Sequence, residues 1–424
     1  MFAFPLPNTF RSTSTLAKPV PAKRAYAAFS LVLALQLAAC GGGGGGGAVP
    51  SQPSPVASPA PPPPPEPQYI APIALGDGWQ VDAASAAGID ETRLAKMLDD
   101  IRSGLWTNID GVAVARRGTL VLDETLRTAL APNDAAAGNN NLALHRVYSV
   151  TKSVTATLVG IAMDQGLIGS VDNALYPMFP AYSPFANWDE RKAQTTIEDF
   201  LTMQHGLDWD ELTYPFTDAR NSLTVARAQC TDYIKCLLDL PLRTHPGTAF
   251  TYSTHVTHTL GALVATQSDE SLPAFAKQHL LEPLQIREHL WSPASPTGRA
   301  LAGSGLFLTV RDMAKLGQLY LADGIWGDTQ VVSPEWIAAA SAHQANLPPA
   351  FGTGYGYQWW RFTLDNAGTP VDTYAAIGWG GQYVIVIEEF DLVIAFAGAN
   401  YGASDRQDQA LEIVTTYLLP ALTD

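Results

Sequence analysis

The chain has 424 residues, 47% of them hydrophobic and only 15% charged, enough apolar material for one large domain or two joined lobes. Its formal net charge is −15, and the first 24 positions hold four basic residues and no acid, so the remainder is more acidic still. That balance argues against nucleic acid as a partner, and beyond the leader no apolar run is long enough to span a bilayer.

Arg11, Lys18, Lys23 and Arg24 precede a mostly apolar stretch from Ala25 to Ala39, the length of a signal-peptide core. The stretch ends in Leu37-Ala38-Ala39-Cys40, which resembles the lipobox of bacterial lipoproteins, where the Cys is acylated and becomes the mature N-terminus. An ordinary signal peptide with an incidental Cys40 is the alternative. Residues 1–39 are read as the signal peptide, and the resemblance implies a lipid anchor in the bacterial cell envelope, facing the periplasm or exterior. Gly41 to Gly47 and a Pro-rich run through Pro72 bury little apolar area, so residues 40–72 read as a tether. No Lys-Ser/Thr follows the glycines, so they are not a phosphate loop. Residues 73–424 form the expected globular domain.

Leu94, Leu98, Ile101 and Leu105 recur at helical spacing behind Asp90, with Gly104 near the end, and predict an amphipathic first helix. Val112 and Val114, the turn Arg117-Gly118 and the run Leu120-Val121-Leu122 predict a hairpin. Far downstream, Tyr383 to Ile387 and Leu392 to Ala397 flank Glu389-Phe390-Asp391 and predict a second hairpin of buried strands. Ser333-Pro334-Glu335 opens one helix of the long middle, and Ser404 with Gln407 reads as a capping box for the last. The expected fold is mixed α/β, of the α+β kind. Both chain ends build one antiparallel sheet flanked by helices, and the middle forms a mostly helical second lobe. A cleft between lobes is where a site is expected.

Cys230 and Cys236 are the only cysteines after the leader. Export would permit a short-loop disulfide, and two unpaired thiols are the alternative. Their spacing fits neither a zinc nor a thioredoxin pattern.

The chemistry centres on Ser149-Val150-Thr151-Lys152. Val150, Val154, Leu158 and Ile161 share one face of a predicted helix that Gly166 closes, which puts Ser149 in the first turn and Lys152 beside it one turn on. A Ser hydroxyl needs a base at neutral pH, and a lysine in a poorly hydrated pocket can have its pKa lowered enough to serve.

Four segments in one order then carry a family resemblance: Val147 to Ser153; Phe200-Leu201-Thr202-Met203-Gln204-His205-Gly206-Leu207; Pro246 to Ser253; and Gly378-Trp379-Gly380-Gly381-Gln382. The sequence resembles the serine β-lactamase and penicillin-binding superfamily, signed by S-x-x-K and two further boxes. Within it the likeness is to class C β-lactamase-like proteins, family VIII carboxylesterases and nylon-oligomer hydrolases, over nearly everything from about residue 76 onward.

The resemblance implies a β-lactamase/transpeptidase-like fold and a set of roles. Tyr252-Ser253-Thr254 stands for the family's Tyr-x-Asn: Tyr252 keeps the proton-shuttle position, while Thr254 replaces the substrate-contacting amide with a hydroxyl. Trp379-Gly380-Gly381 stands where most β-lactamases have Lys-Thr-Gly, in the Trp-x-Gly form of the esterases, and its glycines let a substrate approach the strand edge. By the same likeness the backbone N–H groups of Ser149 and Gln382 would form the oxyanion hole. Asp208, Asp210 and Glu211 near Trp209 and Tyr214 read as a solvated acidic loop, although in nylon-oligomer hydrolases a similar segment contributes to substrate binding. His205 reads as structural, and His255 with His258 lacks a third ligand for zinc.

The expectation is therefore a serine hydrolase cleaving small-molecule esters or linear amides through an acyl-Ser149, with no cofactor and no metal. A β-lactamase or D-amino-acid peptidase acting on cell-wall fragments is the alternative within the enzyme class, and a catalytically silent binding lipoprotein the alternative outside it. The absence of any Gly-x-Ser-x-Gly removes the α/β-hydrolase reading.

Overall fold

A computed structural model describes residues 68–292, 295–348, 351–402 and 408–423. The signal peptide, the lipobox Cys40, most of the tether and the Ser404–Gln407 capping box lie outside those residues. Tyr69 already docks on the body, its hydroxyl donating to the Val121 carbonyl at 2.6 Å and accepting from Ala84 N–H at 3.0 Å. Tyr69 belongs to the stretch that composition assigns to the tether. A tyrosine at the end of a proline run carries enough apolar surface to be captured.

In chain order come β1 (Gln80–Val81), α1 (Glu91–Arg102), β2 (Ile109–Arg116), β3 (Thr119–Thr125), β4 (His145–Arg146) and α2 (Val150–Asp164). The middle supplies α3 (Ser222–Gln229), α4 (Tyr233–Leu238), α5 (Thr254–Ser268), β5 (Leu290–Trp291), β6 (Leu306–Leu308), α6 (Val310–Leu321) and α7 (Pro334–Ser341). The end contributes β7 (Gly354–Tyr355), β8 (Trp360–Asn366), β9 (Thr369–Gly378), β10 (Gln382–Ile387), β11 (Leu392–Gly398) and α8 (Gln409–Ile413).

Eight strands form one sheet in the order β1-β3-β2-β11-β10-β9-β8-β7. All pairings are antiparallel except β1 with β3. The two chain ends therefore meet at the centre, where Val114 lies opposite Ile394. Both faces of β10 and β11 are buried, which is why those strands read as continuous apolar runs. A second small sheet, β4-β6-β5, stands at the entrance to α2.

Asp90 caps α1 by accepting from the Thr92 and Arg93 N–H groups, and Ser333 caps α7, both as the residue patterns predict. Leu105, however, lies beyond the end of α1 and is 62% exposed, because Ser103 and Gly104, at φ +81°, have already turned the chain away. Helix α2 also departs from the amphipathic reading. Val150 through Ala162 are buried all round, the hydroxyls included. Those hydroxyls bond distant groups: Ser153 Oγ to the Gln358 carbonyl at 2.7 Å, Thr155 Oγ1 to the Ala302 carbonyl at 2.7 Å, and Thr157 Oγ1 to the Tyr320 hydroxyl at 3.0 Å. A polar side chain with a partner can sit in a core at little cost, so polarity alone does not mark a solvent face.

Candidate active site

Ser149 occupies the N-cap position of α2, yet its side chain makes no capping bond. Its hydroxyl is taken up by Lys152 Nζ, 3.0 Å away. The preceding Tyr148 has φ +46°, a left-handed conformation costly for a residue with a bulky side chain, held just ahead of Ser149 by the β4–β6 pairing and by Trp379 packed edge-on at 5.3 Å.

Lys152 is 1% exposed. Besides Ser149 Oγ, its Nζ meets Thr254 Oγ1 at 3.0 Å and the Gly303 carbonyl at 2.8 Å. A neutral amine has two N–H donors and one lone pair. The Gly303 carbonyl accepts only, and the Thr254 hydroxyl proton is committed to Glu211 Oε1 at 2.5 Å, leaving that oxygen to accept as well. The remaining partner, Ser149, is the one that can give Nζ a proton. Burial brings the Lys152 pKa down from 10.5 to about 7; Glu211 opposes that shift and Arg227 adds to it.

Glu211 does not lie in the solvated acidic loop that the sequence suggests: it is 3% exposed and stands behind Thr254. Its Oε2 accepts from Thr254 N–H at 2.7 Å and from Trp209 Nε1–H at 3.1 Å. Thr254 therefore joins Lys152 to a buried carboxylate. The sequence held one clue, an indole N–H two residues away that needs an acceptor when buried.

Tyr252 is 4% exposed and lies under Lys152, whose Nζ is 4.9 Å from the ring centroid. Burial pushes its phenol far above the usual range, so at neutral pH it is a protonated donor and acceptor and not a phenolate.

The third motif sits at the turn from β9 to β10. Gly380 and Gly381 have φ of +90° and +93°, and a Cβ on Gly380 would fall 2.3 Å from the Tyr401 ring. Gly378, paired with Gln382, lies so close to the Val147 carbonyl that a Cβ there would be 2.3 Å from it, which brings the strand edge beside the segment entering Ser149. The Gln382 side chain is buried and bonds the Gly398 carbonyl, so it is turned to the fold and not to a substrate.

Ser149, Tyr252, Thr254 and Trp379 line one cavity of about 570 Å³, together with Glu211, Phe216, Arg146 and Arg227. Tyr214 is not in that wall: its ring stacks under the Arg220 guanidinium at 4.2 Å, and Phe216 takes the place beside Trp379. Cys230 and Cys236 are bonded to each other, tying the end of α3 to α4. His205 is structural: Leu207 N–H donates to its Nδ1 at 3.1 Å, its Nε2 lies 2.8 Å from the Thr251 carbonyl, and burial lowers its pKa to about 4.

The Beta-lactamase family model matches residues 99–415. The chain belongs to the Beta-lactamase family. Among relatives of this Beta-lactamase-family hydrolase, the 6-aminohexanoate-dimer hydrolase of Paenarthrobacter ureafaciens is 25% identical over 322 residues, which is 71% of this chain and 75% of that protein. Among solved structures, a family VIII carboxylesterase aligns at a TM-score of 0.57 and 18% identity, covering 78% of this chain and 99% of its own. A penicillin-binding protein homologue from Caulobacter crescentus aligns at 0.57 and 16% identity, with coverage of 78% and 99%. At those identities the structural likeness speaks for the fold of the family member, and its chemistry rests on the residues above.

Proposed function

We propose that this serine hydrolase cleaves carboxylic esters or linear amides through an acyl-Ser149 intermediate. Ser149 Oγ attacks the carbonyl carbon as its proton passes to Lys152 Nζ. The oxyanion is received by the N–H groups of Ser149 and Gln382, and Tyr252 relays the proton to the leaving oxygen or nitrogen. Water, deprotonated by the same pair, then attacks the acyl carbon and frees Ser149. The observation that carries this reading is the bonding of Lys152, with two obligate acceptors and one hydroxyl around a buried amine. With a pKa of about 7 roughly half of it is free base at pH 7, against about 0.03% for an unshifted lysine.

A fluorophosphonate probe should label the wild type and not Ser149→Ala. Hydrolysis of a short-acyl aryl ester should fall at least about a thousandfold in Ser149→Ala and in Lys152→Ala, with little further loss in the double variant, because the pair acts as one unit. Full turnover by Ser149→Ala would end the proposal.

We further propose that Cys40 is acylated and holds the enzyme on a bacterial envelope membrane. The Leu-Ala-Ala-Cys sequence after a signal-like core supports this, and no helix among the described residues is long and apolar enough to cross a membrane. Cys40→Ser should move the folded enzyme from the membrane to the soluble fraction, and retention on membranes would count against the anchor.

A further inference from the structure

The cavity that holds Ser149 has a neighbour. A second cavity of about 460 Å³ adjoins it, and Tyr233 and His258 line both. His255, His258, Ala262 and Ala265 recur at helical spacing and form a stripe along one face of α5. His255 lines the Ser149 cavity, His258 both, and Ala262 and Ala265 the second. At 1.5 Å per residue the stripe is about 15 Å long. It starts one residue after Thr254, the partner of Lys152, and leads away from the nucleophile. The chain segment across from it repeats the division: Ser292 and Leu301 line the Ser149 cavity, and their neighbours Trp291 and Ala300 line the second. The two cavities are thus successive stretches of one track, divided at Tyr233 and His258.

The two dividing residues are held in different ways. His258 is 7% exposed and its Nδ1 accepts from Gly303 N–H at 3.0 Å, so it also seats the Gly303 carbonyl that Lys152 uses. Tyr233 is half-buried, and its hydroxyl has no hydrogen bond among the described residues. Its ring rests on His255 and His258 at centroid distances of 4.4 and 5.8 Å. It opens α4 inside the loop that the Cys230–Cys236 disulfide closes, which pins its backbone from both sides. Tyr233 is therefore a fixed wall across the track that takes no part in the bonding of Lys152. Beyond it the lining turns apolar. Ile234, Leu272 and Trp291 are buried there, and the Trp291 indole already donates to the Leu301 carbonyl at 3.1 Å. Asp232 and Arg299 on that lining are both bonded to the Tyr182 hydroxyl, at 3.0 and 2.8 Å. Such a space suits an uncharged aliphatic or aryl tail, bound by burial alone.

We propose that Tyr233 sets the length of substrate the enzyme accepts: its ring ends the Ser149 cavity, and behind it lies an apolar tail site that opens when the ring is removed. This rests on the hydrolase reading above. With the wall in place a substrate must fit the 570 Å³ around Ser149, and without it the joined space reaches the upper end of the range for small-molecule sites.

Two series of esters test it, aryl esters of linear acids from acetate to decanoate and butyrate esters of 4-alkylphenols from methyl to octyl. In one series the wild-type kcat/KM should peak at a short chain and fall beyond it, which also tells which half of the substrate runs along α5. A methylene buried in an apolar site improves kcat/KM about fourfold, so Tyr233→Ala should raise the ratio of the longest to the shortest ester in that series by at least about tenfold. Tyr233→Leu replaces it if melting curves show the alanine variant unfolded. Tyr233→Phe, which retains the ring, should retain the wild-type length limit. Adding Ala265→Phe to Tyr233→Ala fills the second cavity from α5 and should cancel the gain. Coincident profiles for the wild type and Tyr233→Ala in both series, or a gain that survives Ala265→Phe, would overturn the wall. If the wild type turns over no ester in either series, the hydrolase reading fails and calorimetry with octanamide decides the wall alone. Tighter binding by Tyr233→Ala than by the wild type, cancelled by Ala265→Phe, sustains it, and equal binding removes it.

Discussion

Replacing Glu211 by Gln should make this enzyme work at lower pH. The bonds on either side of Thr254 Oγ1, 3.0 Å to Lys152 Nζ and 2.5 Å to Glu211 Oε1, place the carboxylate within roughly 5.5 Å of the amine. At an effective dielectric constant of about 20, a unit charge at that distance stabilises the ammonium form by about 3 kcal/mol, or about two pH units. The sign follows from which form reacts. Lys152 must be neutral to accept the Ser149 proton, so kcat/KM for an uncharged ester rises with pH through the Lys152 pKa, about 7 in the wild type. Removing the negative charge lowers that pKa and should move the acid limb down by about one to two units. Arg227→Gln removes a nearby positive charge and should move the limb up. The height of the plateau is a poorer guide, because a Gln side chain has one acceptor oxygen where three donors now converge. Initial rates from pH 4.5 to 9 on a non-titrating butyrate ester, with melting curves to confirm folding, give both limbs. A Glu211→Gln limb that stays in place or moves up would refute the electrostatic account of Lys152.

Trp379→Lys should improve hydrolysis of substrates whose carboxylate adjoins the scissile bond, such as penicillins, by about ten- to a hundredfold relative to neutral esters, since a lysine adds the charge-assisted bond that an indole lacks. Equal effects on both substrate classes would show that the third motif does not face that carboxylate. The fold itself should weaken in mild acid. Burial holds His145, His205 and His255 to pKa values of about 3, 4 and 3, so below about pH 6.5 the unfolded chain takes up protons that the native state refuses. Asp110 and Asp408, raised by burial to about 6 and 7, work in the opposite direction below those values and offset part of the loss. In urea titrations at pH 6, 5 and 4.5, His205→Asn should remove about 1.4 kcal/mol per pH unit of the slope, and an unchanged slope would contradict the assignment.

The parts of the site visible in the sequence are those whose chemistry is local. Ser149 and Lys152 are neighbours because a helix brings i and i+3 together, and Trp379 and Tyr252 belong to short motifs anchored by glycines or a Pro-Gly turn. Hairpins and caps were legible for the same reason. Arg146 and Arg227 were not, because a charged residue in a loop or on a short helix carries no sign of what tertiary packing will set beside it, and Glu211 left only the indirect clue of the Trp209 indole. Helix α2 shows the converse: Val150, Val154, Leu158 and Ile161 mark a single buried face in the sequence, while the partners that let Thr155 and Thr157 be buried as well, Ala302 and Tyr320, are far off in the chain.

The meeting of the chain ends at β2 and β11 also sets the order of events during synthesis. Until Leu392 to Gly398 is available, β2 lacks its central neighbour and Val112 and Val114 border an unpaired apolar edge. A nascent or truncated chain stopping short of β11 therefore exposes a surface prone to association and proteolysis, and the long sequence separation makes closure slow. The same closure brings the Trp379 turn against the segment that enters Ser149. Catalytic competence should consequently arise late and in one step, making turnover a reporter of full-length synthesis and not of partial folding.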